Sequence, residues 1–268
     1  MRPQSRNEFE IAIICALPLE ADAVEALFDE RYNKLAHIYG KQVGDTNTYM
    51  TGRIGSHNIV LAYMTGMGNR SSASVASSLR ISFTRIKLAL VVGICGGVPF
   101  PPEGSEIILG DVIISDSIIE YDYGRQYPNG FQRKSDIKET FGRPSQEIRS
   151  FLNSIRTHQM RVELQNQISQ HLKYLEDLKG SEWKYLGSIH DCLFESSYQH
   201  KHYQQSLVTQ CICVYCQSSQ DSVCEQALRS NCEKLGCAGK LISRHRLDTE
   251  NPQPLVHIGT IASASTVM

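Results

Sequence analysis

The 268-residue sequence lacks an excess of either charge, because 27 Lys and Arg nearly balance 28 Asp and Glu. It has no basic stripe, which argues against nucleic-acid binding through phosphate neutralisation. Its longest apolar stretch, residues 86–100, contains Lys87 and three glycines and is too short to span a bilayer. The N-terminus lacks the apolar segment of a signal peptide. These absences predict a cytoplasmic protein that binds neither nucleic acid nor membranes.

The sequence also lacks an even number of cysteines. An odd total of nine, without a signal peptide, argues against a disulfide framework. Cys15 and Cys95 lie in apolar runs and are interpreted as small buried hydrophobes. The other seven crowd into one segment and are Cys192, Cys211, Cys213, Cys216, Cys224, Cys232 and Cys237.

Two interpretations of this cysteine-rich segment are open. The cysteines and the nearby His190, His200, His202 and His245 include enough ligands for a tetrahedral zinc ion. Alternatively, the cysteines are reduced thiols in a poorly packed insertion. Their spacing does not match the paired Cys-x-x-Cys pattern of zinc sites, so we favour the thiols. The sequence therefore predicts neither a metal nor a cofactor.

Two strongly apolar runs, residues 11–17 and 88–92, indicate buried strands. Both are apolar on both faces, as in the middle of an α/β sheet. The first is followed by Glu20 and the second by the glycine-rich turn Gly93–Gly97. Ligands of α/β sheets bind at the carboxyl ends of strands. We therefore expect Glu20 and this turn to border one pocket.

The remaining pattern predicts an α/β protein in which residues 88–93 form the central strand. Further strands are expected at residues 46–53 and 57–64 (a hairpin), 111–119 and 255–262, and helices at residues 20–29, 70–83 and 145–178. We predict a single domain with a core over residues 8–140, a helical and Cys/His-rich insertion over 141–250, and a late core strand over 252–268. Because the sequence stops soon after that strand, we expect the fold to be incomplete at the C-terminus.

Three motifs have both a functional and a structural interpretation. The glycines of the Gly93–Gly97 turn let a ligand reach the backbone, but close packing explains them equally well. Gly66 and Gly68 precede a helix whose amides can bind an anion, although Asn69 or Ser71 can simply cap it. Glu20 suits acid–base chemistry if partly buried, but it also suits the first turn of a helix. No single motif decides between the interpretations.

Taken in order, six blocks resemble the nucleoside phosphorylase / methylthioadenosine nucleosidase superfamily. The resemblance is to its fungal branch, a purine and uridine phosphorylase-like domain found at the N-terminus of NLR-like proteins. The blocks are residues 13–20, 65–69, 92–98, 110–124, 191–200 and 256–263. The resemblance implies a three-layer α/β/α fold around a mixed, partly closed sheet. It also implies cleavage of the N-glycosidic bond of a purine nucleoside or nucleotide.

The resemblance also implies roles for individual residues. Glu20 stands where the nucleosidases have the glutamate that positions the attacking water. Gly66 and Gly68 would lie near the sugar or the nucleophile. The base would be bound by Gly93, Cys95, Gly96 and Gly97, with Val267 and Met268 beside it. The phosphorylases of this fold carry an arginine where this sequence has Val91, and often a serine where it has Ile94.

Without that arginine a phosphate dianion would lose its main charge-assisted partner, so we favour hydrolysis over the alternative, phosphorolysis. Another alternative is a non-catalytic nucleotide-binding effector domain of an NLR-like protein. Members of the superfamily commonly form homo-oligomers. The family's Glu-Met-Glu motif and its proton-donating aspartate follow the late strand and are missing from this sequence. We therefore expect the chain alone to have weak or no activity.

Overall fold

The computed structural model describes residues 2–32, 39–134, 144–185, 187–203, 211–218, 221–248 and 252–264. The chain forms two compact units. The first comprises Met1–Gly97, Ile113–Leu175 and Val256–Met268, and the second comprises Val98–Val112 and Glu176–Leu255.

The strands are β1 (Ile11–Cys15), β2 (Glu30–Arg31), β3 (Thr48–Ile54), β4 (His57–Tyr63), β5 (Leu88–Val91), β6 (Val112–Glu120), β7 (Gly124–Tyr127), β8 (Gly130–Arg133) and β9 (Val256–Ser263). The helices are α1 (Pro18–Ala26), α2 (Asn69–Ser82), α3 (Gln146–Ile155), α4 (His158–Lys179), α5 (Glu225–Leu228) and α6 (Cys232–Leu235). None of the helices in the described ranges has both the length and the apolar content that a membrane crossing requires.

The main sheet of the first unit is mixed and has the strand order β2-β3-β4-β1-β5. Strand β1 runs parallel to both of its neighbours, with Ile13 opposite Leu61 on β4 and Leu90 on β5. Strands β3 and β4 form the predicted antiparallel hairpin, closed between Ile54 and His57. The expected α/β class with a mixed sheet is therefore confirmed.

Strand β1 buries alternate side chains on opposite faces of this sheet, as the two-residue period of a strand requires. Ala12 and Ile14 pack in a cluster with Val75 and Leu79 of α2. Ile13 and Cys15 pack in a cluster with Ala21 and Val24 of α1. One helix thus covers each face of the sheet, which produces three layers in this part of the unit.

Strand β5 differs from the prediction of a central strand over residues 88–93. It ends at Val91 and, within the described residues, pairs only with β1, so it lies at an edge of the sheet. Leu90 and Val91 are 42% and 80% exposed. An apolar run indicates that a strand can be buried, but it does not specify which strands pair with it. The strand with parallel partners on both sides is β1.

Three further features belong to the first unit. β6 and β9 form a two-stranded sheet, in which the Ser117 and Thr260 hydroxyls lie 2.7 Å apart. β7 and β8 form a hairpin that is absent from the predicted elements, and its two-residue loop is Pro128-Asn129. Arg156, which ends α3, forms an ion pair of 2.5 Å with Asp116 of β6.

Buried ion pairs stabilise the second unit. Arg244 pairs with Glu106 at 2.5 Å, and both side chains are less than a tenth exposed. Arg246 pairs with Asp111, whose side chain is fully buried. The Asp111 carboxylate also accepts hydrogen bonds from the backbone N–H groups of Ile108 (3.0 Å) and Leu255 (2.8 Å). The buried carboxylates therefore have charged and hydrogen-bonded partners, as burial of charge requires.

Candidate active site

Glu20 is buried in the first turn of α1, where backbone amides hold its carboxylate in place. Its Oε2 accepts hydrogen bonds from the N–H groups of Ala16 and Leu17, both at 2.9 Å. Its Oε1 accepts one from the N–H of Ile94 at 3.0 Å. The carboxylate therefore bridges the turn that follows β1 and the turn that follows β5. This juxtaposition was expected from the sequence.

Gly93 lies directly against this carboxylate. A Cβ atom built on Gly93 would stand 2.7 Å from Oε1 of Glu20, which is closer than real Cβ contacts. The residue at position 93 must therefore lack a side chain for Glu20 to keep its position. Close packing, which is one of the two interpretations of the glycine-rich turn, thus explains why position 93 is a glycine.

The carboxylate of Glu20 keeps some capacity to bind a further group. A carboxylate offers about four acceptor sites, and three N–H donors are accounted for here. The remaining site lies on Oε1, the oxygen that faces the turn after β5, and no donor from the described residues occupies it. A fixed carboxylate with such an acceptor site has the geometry needed to orient a water molecule or a hydroxyl group.

The turn that follows β4 lies at the same sheet edge, because Met64 N–H donates to the Cys15 carbonyl at 2.9 Å. Gly68 is the N-cap residue of α2, with φ of 106° and no capping hydrogen bond from a side chain. The hydroxyls of Ser71 and Thr65 lie 2.6 Å apart. Within the described residues neither Asn69 nor Ser71 caps α2, so plain capping is wrong and the first amides of α2 have no side-chain cap.

The other predicted binding residues fall into three groups. Gly66 is half-buried and Gly96 is exposed, and a Cβ on either would meet open space. Cys95 and Gly97 are exposed in the turn after β5. The prediction that Cys95 is buried was wrong, because the residue follows the strand instead of lying in it. Val267 and Met268 lie outside the described residues.

Cys15 is buried beside this site but is unsuited to act as a nucleophile. Burial, aided by the negative charge of Glu20, raises the pKa of its thiol to about 11. The thiol is therefore protonated at neutral pH, whereas the thiolate is the reactive form. Glu20, by contrast, is a titratable side chain whose position at this edge of the sheet is fixed by backbone hydrogen bonds.

A surface depression of about 380 Å³ is lined by Thr48, Tyr49, Met50 and Tyr63. None of these residues belongs to the predicted site, and the Tyr63 hydroxyl donates to Glu25 at 2.5 Å. The depression holds neither a fixed carboxylate nor a set of backbone donors. We therefore place the candidate site at Glu20 and not in this depression.

Two clusters in the second unit have the side chains needed to bind a metal ion. One consists of His202, Cys211, Cys213 and Cys224, and the other of His200, Cys232 and Cys237. Within each cluster the potential ligand atoms all lie within 4.8 Å of one another. The sequence by itself favours unliganded thiols, because the spacing does not show which cysteines come together. The pairs Cys211-x-Cys213 and His200-x-His202 were the signals available.

This chain is similar to known proteins over part of its length. The model of the phosphorylase superfamily matches residues 10–164. An NLR-like protein of Hyaloscypha variabilis is 27% identical over 195 residues, which are 70% of this chain and 19% of that protein. A 5'-methylthioadenosine/S-adenosylhomocysteine nucleosidase of Mycobacterium bovis is 26% identical over 42% of this chain and 39% of that protein.

Among solved structures, a Helicobacter pylori 5'-methylthioadenosine/S-adenosylhomocysteine nucleosidase aligns with 57% of this chain and 60% of its own chain, with 20% identity and a TM-score of 0.40. The chain thus spans about a fifth of the NLR-like relative and about two fifths of the curated nucleosidase. Since the family model covers more than half of its residues, the chain belongs to the phosphorylase superfamily.

Proposed function

We propose that this chain hydrolyses the N-glycosidic bond of a purine nucleoside or nucleotide, with Glu20 as the residue that orients water. The observation that carries the proposal is the fixed position of the Glu20 carboxylate against Gly93 and Ile94 at the carboxyl edge of the sheet. Membership of the phosphorylase superfamily and the similarity to a curated nucleosidase support the choice of reaction.

In the proposed reaction the C1′–N9 bond lengthens first, and its electron pair moves to the purine ring. The sugar then resembles an oxocarbenium ion, and the water oxygen forms a new bond to C1′. Glu20 accepts the proton that this water loses. Stabilising the charge that develops on sugar and base lowers the barrier. The uncapped amides at the start of α2 would donate hydrogen bonds to the sugar or the nucleophile.

Water is preferred to phosphate as the nucleophile because the site offers little positive charge. Val91 and Ile94 occupy the positions at which the resemblance would place an arginine and a serine in phosphorylases. A phosphate dianion binds best to charged donors such as arginine. Phosphorolysis would need a cation from another part of the protein.

The test incubates the chain with methylthioadenosine, S-adenosylhomocysteine, adenosine and AMP, each with and without phosphate, and measures free adenine by chromatography. We expect adenine release that does not depend on phosphate. Since the sequence contains no Glu-Met-Glu motif and the family's general acid is unassigned, we expect release at least ~10²-fold slower than that by a complete nucleosidase assayed in parallel.

Glu20→Gln should abolish this release, whereas Asp22→Asn, at an exposed position on the same helix, should leave it unchanged. Both variants are compared at temperatures at which circular dichroism shows them folded. Equal turnover by wild type and Glu20→Gln would refute the role of Glu20. Release only in the presence of phosphate, with the corresponding sugar 1-phosphate as product, would establish phosphorolysis instead.

A second candidate function is that of a nucleotide-binding effector domain within an NLR-like protein. The match to the Hyaloscypha variabilis protein, which covers 70% of this chain, favours it. This function requires binding without turnover. Isothermal titration calorimetry that detects AMP or adenosine binding, together with no adenine release over a day, would support it over the hydrolase.

A further inference from the structure

The second unit contains two histidines whose Nδ1 atoms each lie close to two cysteine sulfurs. The His202 cluster consists of His202, Cys211, Cys213 and Cys224, and the His200 cluster consists of His200, Cys232 and Cys237. We propose that the His202 cluster binds a zinc ion through all four side chains, and that the His200 cluster binds a second through three. This proposal is independent of the hydrolase reaction.

The contacts in the His202 cluster cannot all be explained by hydrogen bonds. The Sγ atoms of Cys211 and Cys224 both lie 3.5 Å from the same atom, His202 Nδ1. A neutral imidazole Nδ1 has either one lone pair or one hydrogen, so it can satisfy only one of these sulfurs. A metal ion bound to that lone pair explains why both sulfurs converge on it.

The separations match those of a zinc site. Zinc lies about 2.3 Å from cysteine sulfur and about 2.0–2.1 Å from histidine nitrogen, so tetrahedral ligands place sulfur and nitrogen about 3.6 Å apart. The observed distances from sulfur to nitrogen are 3.5 Å in the His202 cluster and 3.5 and 3.7 Å in the His200 cluster. All nine cysteines are free thiols in the structure, so no disulfide competes for these sulfurs.

The surroundings of the His202 cluster suit thiolate ligands. Cys213 Sγ accepts a hydrogen bond from the backbone N–H of Cys224 at 3.4 Å. Cys224 Sγ accepts one from the N–H of Ala227 at 3.3 Å. Hydrogen bonds from outside the first coordination shell orient metal ligands and are a regular part of metal sites.

Cys216 provides a contrast within the same segment. It is buried like Cys211 and Cys213, but it is not a member of either cluster. Its Sγ lies 3.3 Å from the Ser222 carbonyl oxygen and 3.6 Å from that of Ile212, and its one hydrogen faces these two acceptors. A cysteine whose hydrogen faces carbonyl groups is a protonated thiol, so Cys216 is expected to remain unliganded.

The His200 cluster supports the second ion independently. His200 Nε2 lies 2.9 Å from the Ser230 carbonyl oxygen. A carbonyl oxygen only accepts, so Nε2 carries the hydrogen, and the lone pair of a neutral ring lies on Nδ1, which faces Cys232 and Cys237. This is the usual arrangement of a zinc-bound histidine with a carbonyl partner.

The two ions would supply stability that the core of this region lacks. In the described part of this region the buried cluster contains Cys211 and Cys213 beside Ala227 and Leu235, with Val223, Cys224 and Cys237 packed against it. Small regions with so little buried apolar area commonly depend on a metal or disulfides. Thiolate and imidazole ligands in a tetrahedral arrangement select zinc among the common biological cations. The ion of the His202 cluster, which has four protein ligands, therefore has a structural role.

The test measures metals by inductively coupled plasma mass spectrometry in the whole chain, purified under reducing conditions without chelators. We expect about one zinc per cluster, hence about two per chain. Cys213→Ser should remove one zinc, whereas the buried control Cys216→Ser should keep the full content. A zinc-free wild type, or a Cys213→Ser variant with unchanged zinc, would overturn the proposal.

The same measurement separates the two sites. Cys237→Ser should remove one zinc and leave the ion of the His202 cluster in place. If the wild type contains one zinc that Cys213→Ser removes, the site at His202 is supported and the site at His200 is refuted.

A second measurement does not depend on variants that lose a ligand. Cobalt(II) replaces zinc in the wild type, and a tetrahedral thiolate site then shows strong visible bands and a thiolate-to-cobalt charge-transfer band. His202→Cys keeps four ligands and should increase the charge-transfer intensity of this site by about a third, from three thiolates to four. Weak octahedral cobalt bands, or a Cys211–Cys224 disulfide found by peptide mapping, would contradict the proposal.

Discussion

Glu20 and Ile94 are joined by a hydrogen bond of 3.0 Å from the backbone N–H of Ile94 to Oε1 of the carboxylate, across 74 positions of sequence. This bond connects the first turn of α1 to the turn that follows β5. It gives Glu20 a structural role in addition to the proposed chemical one. Variants at this place must therefore be tested for both roles.

Substitution Gly93→Ala should displace the Glu20 carboxylate, because the new Cβ would lie 2.7 Å from Oε1. We expect a loss of about 1–3 kcal/mol in the free energy of unfolding, as for other overpacked sites. We also expect loss of any adenine release by the folded variant. Urea denaturation and the adenine assay measure the two effects.

The matched control for Gly93→Ala is Gly259→Ala in β9, where a Cβ would meet open space. Its free energy of unfolding should stay within about 0.5 kcal/mol of the wild type. If Gly93→Ala were as stable as this control and fully active, the close contact between Gly93 and Glu20 would contribute neither to stability nor to activity.

Substitution Glu20→Gln should destabilise the protein even though the two side chains have the same shape. Both carboxylate oxygens accept backbone N–H groups, and the amide –NH₂ of glutamine would face one of them. A buried donor left without an acceptor costs about 1–3 kcal/mol. Urea denaturation measures this cost, and Asp22→Asn serves as the control. Equal stability of the two variants would mean that these backbone bonds contribute little.

Substitution Ser82→Ala should weaken resistance to acid. Ser82, Tyr49 and the N–H of Asn47 donate to the buried Asp45 carboxylate. Burial alone would raise the pKa of Asp45, but these hydrogen bonds outweigh it and hold the pKa below its ordinary value of 3.8. Asp45 therefore contributes stability above about pH 4, and this contribution is lost as the pH falls through the lowered pKa.

Without the Ser82 hydroxyl the pKa of Asp45 should rise, so acid unfolding followed by circular dichroism should occur at a higher pH. At neutral pH the cost should be about 1–3 kcal/mol. Ser77→Ala, at an exposed position on the same helix, is the control and should unfold at the same pH as the wild type. The same acid midpoint in both variants would contradict the role of Ser82.

Substitution Arg246→Met should destabilise the second unit strongly. The Asp111 side chain is fully buried and would lose its charged partner. Breaking a buried pair by removing one partner costs about 3–5 kcal/mol. Arg229→Met is the control, because Arg229 pairs with Glu225 on the surface, where both side chains are more than three quarters exposed. Hydrogen exchange in residues 98–112, followed during thermal unfolding, measures the difference in stability between the two variants.

The sequence was sufficient to predict part of the local structure of the first unit, although not the hairpin of β7 and β8. The alternation and turn residues of residues 46–64 predicted the hairpin of β3 and β4, and the apolar run of residues 11–17 predicted β1. Its ordered blocks also predicted the family, which the family model confirms. These features depend on local propensity and on short spacing, both of which can be read directly from a sequence.

Features that depend on distant partners were harder to predict. The run of residues 88–92 is as apolar as β1, yet β5 lies at an edge, because pairing is determined by other segments. The ligand clusters combine His200 with Cys232 and Cys237, and His202 with Cys211 and Cys224, so the His202 cluster lies between members of the His200 cluster along the chain. Spacing alone does not show such nesting. The catalytic and binding roles of the site residues remain predictions.

Strand β1 is apolar on both faces, since Ile13 and Ile14 are equally buried beneath different helices. A shift of β1 by one residue would therefore exchange one set of apolar side chains for another, and burial would oppose such slippage only weakly. The bonds of Glu20 to Leu17 on one side and Ile94 on the other exist in a single alignment. The carboxylate proposed to orient water thus also keeps the two parallel strands in register.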